Sequence, residues 1–240
     1  MALIHGTRHD DYLEASDGDR VNAGAGDDYV LVYYGGSVTA ELGRGSDTIE
    51  NLNATGGKVW AGVGNDAIWW WGKGDALVGG KGDDFVFAMD GSNLYGDEGP
   101  GHAHQVAGND HMQTSATSAG GVSTQTGGNG ADWHSFEAHF DGLGGASACV
   151  VTDFQAGVDK VAMGLSYYTP EGVAAGDLFH SQIWGIFDTN ADGVLNGTDV
   201  PWDANSGTAV VDGSLHLRLH EDTLVIQGVA SITATDWLFV

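Results

Sequence analysis

The sequence predicts an all-β fold built as a flattened solenoid, and three observations lead to this prediction. Of its 240 residues, 40 are glycine and only 3 are proline. Glycine-rich windows of six residues recur with a period near 18, and each is followed by an apolar residue that favours strands. Aspartate recurs inside the windows, and 33 acidic residues against 8 basic ones give a net charge of −25.

The repeat is clearest in four windows that align without gaps. They are Ala-Gly-Ala-Gly-Asp-Asp at 23–28, Leu-Gly-Arg-Gly-Ser-Asp at 42–47, Ala-Gly-Val-Gly-Asn-Asp at 61–66 and Gly-Gly-Lys-Gly-Asp-Asp at 79–84. Glycine holds the second and fourth positions, at Gly24, Gly26, Gly43, Gly45, Gly62, Gly64, Gly80 and Gly82. An apolar residue stands two positions after each window, at Val30, Ile49, Ile68 and Val86. This spacing predicts a six-residue turn and then a short strand whose apolar residue points inward.

The aspartates that end the windows are expected to line one edge of the solenoid. Asp28, Asp47, Asp66 and Asp84 are 19, 19 and 18 residues apart, with Asp11 in a degenerate copy before them and Asp132 in a late copy at 127–132. Intermediate copies place Asp19 and Asp75 on the opposite edge. Carboxylates and glycine carbonyls from stacked turns are the hard oxygen ligands that calcium prefers. The sequence therefore predicts several Ca²⁺ ions in a row along the first edge and a sparsely occupied row opposite.

These windows resemble the RTX (repeats in toxin) family of calcium-binding nonapeptide repeats. The resemblance covers residues 6–96 clearly and 108–135 irregularly, and it implies a parallel β-roll that folds on extracellular calcium. We expect an RTX β-roll over 1–135, with an irregular insertion at about 97–126. A β-rich C-terminal region for capping and secretion is expected over 136–240.

A second kind of calcium site is expected in the C-terminal region. Residues 188–199 are similar to an EF-hand loop, with a glycine at the sharp turn, and the ligands would be Asp188, Asn190, Asp192, the carbonyl of Val194, Asn196 and Asp199. Asp199 stands where an EF-hand usually has glutamate. The segment 177–187 is predicted to form the entering helix. The alternative is an Asx-rich turn that binds no metal.

Two further segments resemble parts of exported RTX proteins. Residues 150–161 are similar to the segment that closes the roll in serralysin-type proteases, which implies that Asp153 and Asp159 touch a terminal ion; the alternative is a simple turn. An acid followed by apolar residues at 236–240 resembles the export signal of type I secretion substrates. The sequence shows no N-terminal signal peptide and no apolar run of about 20 residues. We therefore expect an extracellular protein that uses the type I secretion machinery and has no transmembrane segment.

The search for catalytic groups favours no enzyme class. Neither His-Glu-x-x-His nor Gly-x-Ser-x-Gly occurs, so the protease and lipase motifs of other RTX proteins are missing. Cys149 is expected to be a small buried hydrophobe. One alternative remains, in which His102, His104 and His111, with His134 and His139 near them, bind zinc or copper in a metal-assisted hydrolase. The other reading is that these histidines do not converge.

The sequence as a whole predicts a secreted calcium-binding protein with a binding or structural role at a surface, in a matrix or in adhesion. A secreted hydrolase and a bacteriocin or toxin remain alternatives. The net charge of −25 argues against nucleic acid as a partner. Four tryptophans, Trp60, Trp69, Trp70 and Trp71, are a candidate platform for a glycan or for a cell-surface or protein partner. The alternative is that the C-terminal region or another subunit covers them.

Overall fold

The fold is seen in a computed structural model that describes residues 1–33, 36–89, 91–97, 108–117, 119–140, 145–168, 174–178, 180–199 and 206–238. Strands make up 57% of the chain and helix 3%, and the strands form a largely parallel sheet. The all-β, parallel character that the repeat predicts is therefore confirmed.

Two layers of parallel strands form the roll, and we call them the front and back sheets. The front sheet contains β2 (Tyr12–Ala15), β4 (Tyr29–Val32), the first part of β6 (Thr48–Val63), β7 (Ala67–Lys73), β9 (Phe85–Met89), β11 (His111–Ser115), β13 (Trp133–Phe140) and β15 (Lys160–Tyr168). The back sheet contains β1 (Leu3–His5), β3 (Arg20–Ala25), β5 (Ser37–Arg44), the second part of β6, β8 (Ala76–Lys81), β10 (Asn93–Tyr95), β12 (Gly121–Thr126), β14 (Ser147–Val151) and β20 (Asp222–Ile226).

The core of the roll follows the two-residue alternation of side chains in a strand. The apolar residues that follow the four windows, Val30, Ile49, Ile68 and Val86, are completely buried, as predicted. They stack in register from one coil to the next and face Ala40, Val59, Leu77 and Leu94 of the back sheet in one hydrophobic cluster. The repeat thus fixes both the strand period and the residue that fills the interior.

The roll continues beyond the regular windows. Residues 111–115 and 121–126, which the sequence assigns to an irregular insertion, form β11 and β12 within the two sheets. The expected insertion is therefore too wide, because the chain is already back in register at His111. The boundary expected at 135 falls inside β13, which pairs with β11 on one side and β15 on the other.

The end of the roll is closed by a second hydrophobic cluster. Its helix α1 (His180–Phe187) contributes Ile183, Trp184 and Phe187, which pack with residues such as Phe136 and Trp237. The remaining strands are β16 (Ala174–Leu178), β17 (Val194–Leu195), β18 (Ser206–Val211), β19 (Ser214–Leu219) and β21 (Ile232–Thr233).

The entering helix is shorter than predicted. It begins at His180, because Asp177 belongs to β16 and pairs with Ser166 of β15 in an antiparallel arrangement. The C-terminal segment returns to the front sheet, where Trp237 forms a parallel bridge with Val161.

Candidate metal centre

A continuous file of aspartates runs along one edge of the roll, and we call it the aspartate file. It contains Asp11, Asp28, Asp47, Asp66, Asp84, Asp110, Asp132 and Asp159. The backbone N–H of each member donates to Oδ1 of the next one, over distances of 2.7–3.1 Å. The structure thus brings together the six aspartates predicted for this edge and adds Asp110 and Asp159.

In the six inner members of the file, the second carboxylate oxygen is buried and has no hydrogen-bond partner among the described residues. From Asp28 to Asp132, six side chains are only 1–3% exposed, and their Oδ2 atoms have no hydrogen-bond partner in the described part of the chain. A buried charged group without compensation costs several kcal/mol or shifts its pKa. These oxygens therefore need either protons or cations.

Backbone atoms lie close to these oxygens because the turns contain glycines, which have no side chain to keep them apart. All eight glycines predicted for the turns have φ between +114° and +146°. At Gly45, a Cβ would lie 1.9 Å from the carbonyl oxygen of Gly26 one coil earlier, and at Gly64 it would lie 1.8 Å from that of Gly45. At Gly79, a Cβ would lie 2.5 Å from Oδ2 of Asp84. The edge therefore concentrates carbonyl and carboxylate oxygens, which is a donor set for a hard cation.

Burial raises the pKa of the carboxyl groups in the file from Asp28 to Asp159, and like charges from neighbouring acids add to the effect. The pKa rises to about 6 for Asp47 and Asp132, to about 7 for Asp66, and to about 8 for Asp84 and Asp110. The hydrogen bond from the backbone of the preceding member opposes the rise without cancelling it. Without a cation, these pKa values favour the protonated form of Asp84 and Asp110 at neutral pH.

A second, outer file, which the sequence analysis does not predict, lies at the fifth position of the turns. Side-chain oxygens of Asp10, Asp27, Asn65, Asp83 and Asn109 accept the backbone N–H of the corresponding residue one coil later, at 2.8–3.1 Å. These bonds run in the opposite direction to those of the aspartate file. The signal was available, because the fifth position of the four windows is always Asp, Ser or Asn.

The opposite edge of the roll has no comparable file among the described residues. Asp19 accepts the backbone N–H groups of Ala2 and Ser16, and Asp75 is exposed. Further along this edge, serine hydroxyls replace carboxylates, since Ser92 Oγ accepts the Gly74 N–H at 2.8 Å and Ser123 Oγ accepts the Gly91 N–H at 2.9 Å.

Asp153 and Asp159 occupy different positions. Asp159 is the last member of the aspartate file, and its Oδ2 accepts the Gln155 N–H at 2.7 Å. Asp153 instead accepts the N–H groups of Gly127 and Gly128 at 3.0 and 2.8 Å. Their expected joint contact with a terminal ion stays a prediction.

The loop at 188–199 turns its side chains toward its own backbone. Asp188 accepts the N–H groups of Asp192 and Gly193, Asn190 accepts that of Asp192, and Asp192 accepts that of Val194, at 2.8–3.2 Å. Gly193 has φ +78°, as the sharp turn requires. The Asn196 side chain accepts the Thr198 N–H at 2.7 Å.

Asp199 is 4% exposed, and its Oδ1 has no hydrogen-bond partner among the described residues. Calcium binding here stays a prediction.

The histidines do not meet in the described structure. His111 lies on the outer side of the front sheet, where its Nε2 is 3.2 Å from Ser135 Oγ. His134 is buried inside the roll at 1% exposure, and burial lowers its pKa to about 3. His139 lies near the far end of β13, and His102 and His104 lie outside the described residues. In the described ranges, no group of three or more His, Cys, Asp or Glu side chains converges.

Cys149 has the environment that its sequence predicts. It is completely buried and free, and burial raises the pKa of its thiol to about 12. A thiol in this state is a poor nucleophile.

The four tryptophans of the predicted platform are separated by the fold. Trp70 is completely buried, and its indole N–H donates to the Lys73 carbonyl at 3.1 Å. The prediction that Trp70 belongs to an exposed platform is therefore wrong. The alternation of a strand explains this result, because Trp70 follows inward-facing Ile68 by two residues. Trp60 lies on the back sheet opposite Glu41, and these two residues line a surface groove with Gly43 and Gly62. Trp69 and Trp71 lie outward on the front sheet and are 37% and 42% exposed.

Comparison with known proteins adds no relative: no family model and no curated protein matches the chain. The single described helix is too short to cross a membrane.

Proposed function

We propose that this chain is an extracellular calcium-binding protein of the RTX type, which acts as a binding or structural protein. Ca²⁺ ions along the aspartate file would complete its β-roll. The observation that carries the proposal is the run of six buried Oδ2 atoms, from Asp28 to Asp132, that have no partner among the described residues.

Calcium suits the file better than a proton at neutral pH outside the cell. A divalent ion between two neighbouring carboxylates would neutralise both and would also accept carbonyl ligands from the turns. Binding to the folded state alone adds directly to stability, by about 2.7 kcal/mol for a site at one hundred times its Kd. Several sites in a row would therefore shift a chain of net charge −25 from unfolded to folded.

The proposal is tested by two substitutions at adjacent residues. Asp84→Asn removes a carboxylate from the aspartate file, whereas Asp83→Asn changes the outer file, where Asn65 and Asn109 already carry an amide. We expect calorimetric calcium titration of the folded protein to show fewer bound ions for Asp84→Asn and an unchanged number for Asp83→Asn. Equal stoichiometry in the two variants, or no calcium binding by the parent chain, would contradict the proposal.

Export through the type I machinery is proposed on the acid and apolar residues at 236–240. Asp236 and Trp237 are 3% and 2% exposed in the fold, so a receptor would read this segment before the roll forms. Deletion of 236–240 is expected to abolish secretion from a host with a type I exporter. Unchanged secretion of the shortened chain would rule out this route.

A further inference from the structure

An aromatic stripe crosses the outer side of the front sheet along the axis of the roll. We use this name for the six residues Trp69, Trp71, Phe85, Phe87, His111 and Trp133. The ring centroids of Trp69 and Phe85 are 4.5 Å apart, those of Phe85 and His111 are 5.2 Å apart, and those of His111 and Trp133 are 5.6 Å apart. Phe87 joins the stripe from the side, at 6.0 Å from Trp69 and 4.7 Å from Trp71.

Strand register creates this arrangement. Phe85, His111 and Trp133 are the first residues of three successive strands and lie directly opposite one another, while Trp69 lies opposite Phe87. Because parallel strands are about 4.8 Å apart, the stripe presents about one ring for each step along the roll. A partner that matches it would be linear and would repeat flat apolar faces at a similar interval.

The stripe is open at the surface. Trp69, Trp71 and Trp133 are 37%, 42% and 44% exposed, so part of each indole remains accessible to a ligand. Phe87 is only 6% exposed and packs beside Trp69 and Trp71. The rings are tilted or edge-on to one another along the stripe and do not enclose a cage.

Polar groups accompany the rings. Glu50 lies opposite Trp69 in the sheet and already accepts the Tyr29 hydroxyl at 2.7 Å. Ser135 follows Trp133 by two residues on β13, is 5% exposed, and has its Oγ 3.2 Å from Nε2 of His111. A hydroxyl-bearing ligand can donate to the Glu50 carboxylate while its apolar face contacts the neighbouring rings.

Charge narrows the choice of ligand. The net charge of −25 repels nucleic acids and anionic polysaccharides, and the carboxylate of Glu50 adjoins the stripe itself. A cationic partner would be attracted, but an open row of tilted rings gives a cation little of the desolvation that makes cation–π contacts strong. A neutral chain of sugar rings, with apolar faces and hydroxyl edges, fits both the geometry and the charge.

We propose that the aromatic stripe binds a neutral, linear polysaccharide along the axis of the roll. This inference rests on the proposed binding role of the folded protein, but it does not require the stripe to take part in calcium binding.

The test uses the full chain in millimolar calcium with insoluble cellulose, chitin and soluble β-1,3-glucan as probes. We expect at least one of these neutral glycans to bind, with a change in tryptophan fluorescence. Trp69→Ala and Trp133→Ala should each weaken binding about tenfold. The matched control is Trp60→Ala, a tryptophan on the back sheet, and its affinity should be that of the parent chain.

Several outcomes would overturn the inference. They are no binding to any of the three glycans, equal loss for Trp60→Ala and the stripe variants, binding to poly-L-lysine alone, and sedimentation as a dimer that buries the stripe. Circular dichroism and calcium titration of the same variants separate this result from failure of the calcium proposal. If the variants bind calcium normally but no glycan binds, only the polysaccharide inference fails.

Discussion

At the scale of single residues, the turns depend on positions where no side chain fits. Gly45 has φ +128°, and a Cβ there would lie 1.9 Å from the Gly26 carbonyl oxygen. Gly213 also has a positive φ, +76°, but this value is nearer the left-handed helical region, and a Cβ there would meet nothing within 4 Å. Gly45 therefore combines a less accessible φ with a close approach between coils, whereas Gly213 has only a positive φ.

Gly45→Ala is expected to destabilise the protein by about 3 kcal/mol or more, since strain in φ adds to a clash with backbone. Gly213→Ala should cost only about 1–2 kcal/mol, the price of the backbone conformation alone. Denaturant unfolding in millimolar calcium measures both free energies. Equal losses in the two variants would show that the coils can separate to admit a methyl group.

The carboxyl groups of the aspartate file also predict how pH affects the calcium-free protein. Their pKa values in the folded state reach about 6 to 8, whereas an unfolded aspartate titrates near 3.9. The folded state therefore binds more protons than the unfolded state between these limits, and its stability falls as pH rises. Asp19 and Asp236 act in the opposite direction: backbone hydrogen bonds lower the pKa of Asp19, and at Asp236 hydrogen bonds outweigh the effect of burial and lower the pKa.

In chelator, the melting temperature is expected to fall steadily from about pH 4 to about pH 8 and then to level off. Excess calcium should remove most of this fall, because the metal competes for the same carboxylates. Differential scanning calorimetry at several pH values measures the effect. A melting temperature in chelator that rises over this range would show that these groups are not buried as described.

At the scale of elements, the loop at 188–199 is connected to the end of the chain. Val194 and Leu195 in β17 pair with β21, and the Ala234 N–H donates to the Gly193 carbonyl at 3.1 Å. Trp184 of α1 donates to Asp188 and contacts Trp237 with ring centroids 5.5 Å apart. A substitution at Asp188 should therefore alter the environment of Trp237 in the C-terminal segment.

Asp188→Ala is expected to remove one calcium site and to shift the fluorescence of Trp184 and Trp237 toward that of exposed tryptophan. The matched control is Asp212→Ala, in the exposed hairpin between β18 and β19, which should leave both properties unchanged. If added calcium changes the tryptophan fluorescence of the parent chain but not that of the Asp188 variant, the result supports a connection between the loop and the C-terminal segment. The same calcium count in parent and variant would mean that the loop is an Asx-rich turn without metal.

The strands also show how much of the fold and of the aspartate file could be predicted from the sequence. The windows from 23 to 84 keep a nearly constant period, and there the inward residues and the file aspartates were predicted one by one. Beyond Asp84, the members of the file are 26, 22 and 27 residues apart, because longer connections enter the coils while the strands keep their spacing. In the sequence, Asp110 follows Gly108 and Asn109 as a partial copy of the repeat, and Asp159 is expected near a terminal ion by resemblance alone; the hydrogen-bonded register places both in the file. The alternation of strands would have placed Trp70 and His134 inward, two residues after Ile68 and Asp132.

At the scale of the whole molecule, the negative charge is divided between two environments. The outer file is exposed to solvent in part and is screened by salt, whereas the aspartate file is buried and is screened much less. Because the buried carboxylates are screened less, we expect monovalent salt to stabilise the roll less than the calcium that we propose for the aspartate file.

The central claim is that divalent ions occupy the spaces between successive members of the aspartate file. The most direct measurement is the anomalous X-ray signal from crystals grown in millimolar calcium. We predict calcium peaks between neighbouring pairs such as Asp47 and Asp66 or Asp66 and Asp84, each within about 2.3–2.6 Å of a carboxylate oxygen and of turn carbonyls. Well-ordered aspartates with water or nothing between them at that calcium concentration would contradict the claim.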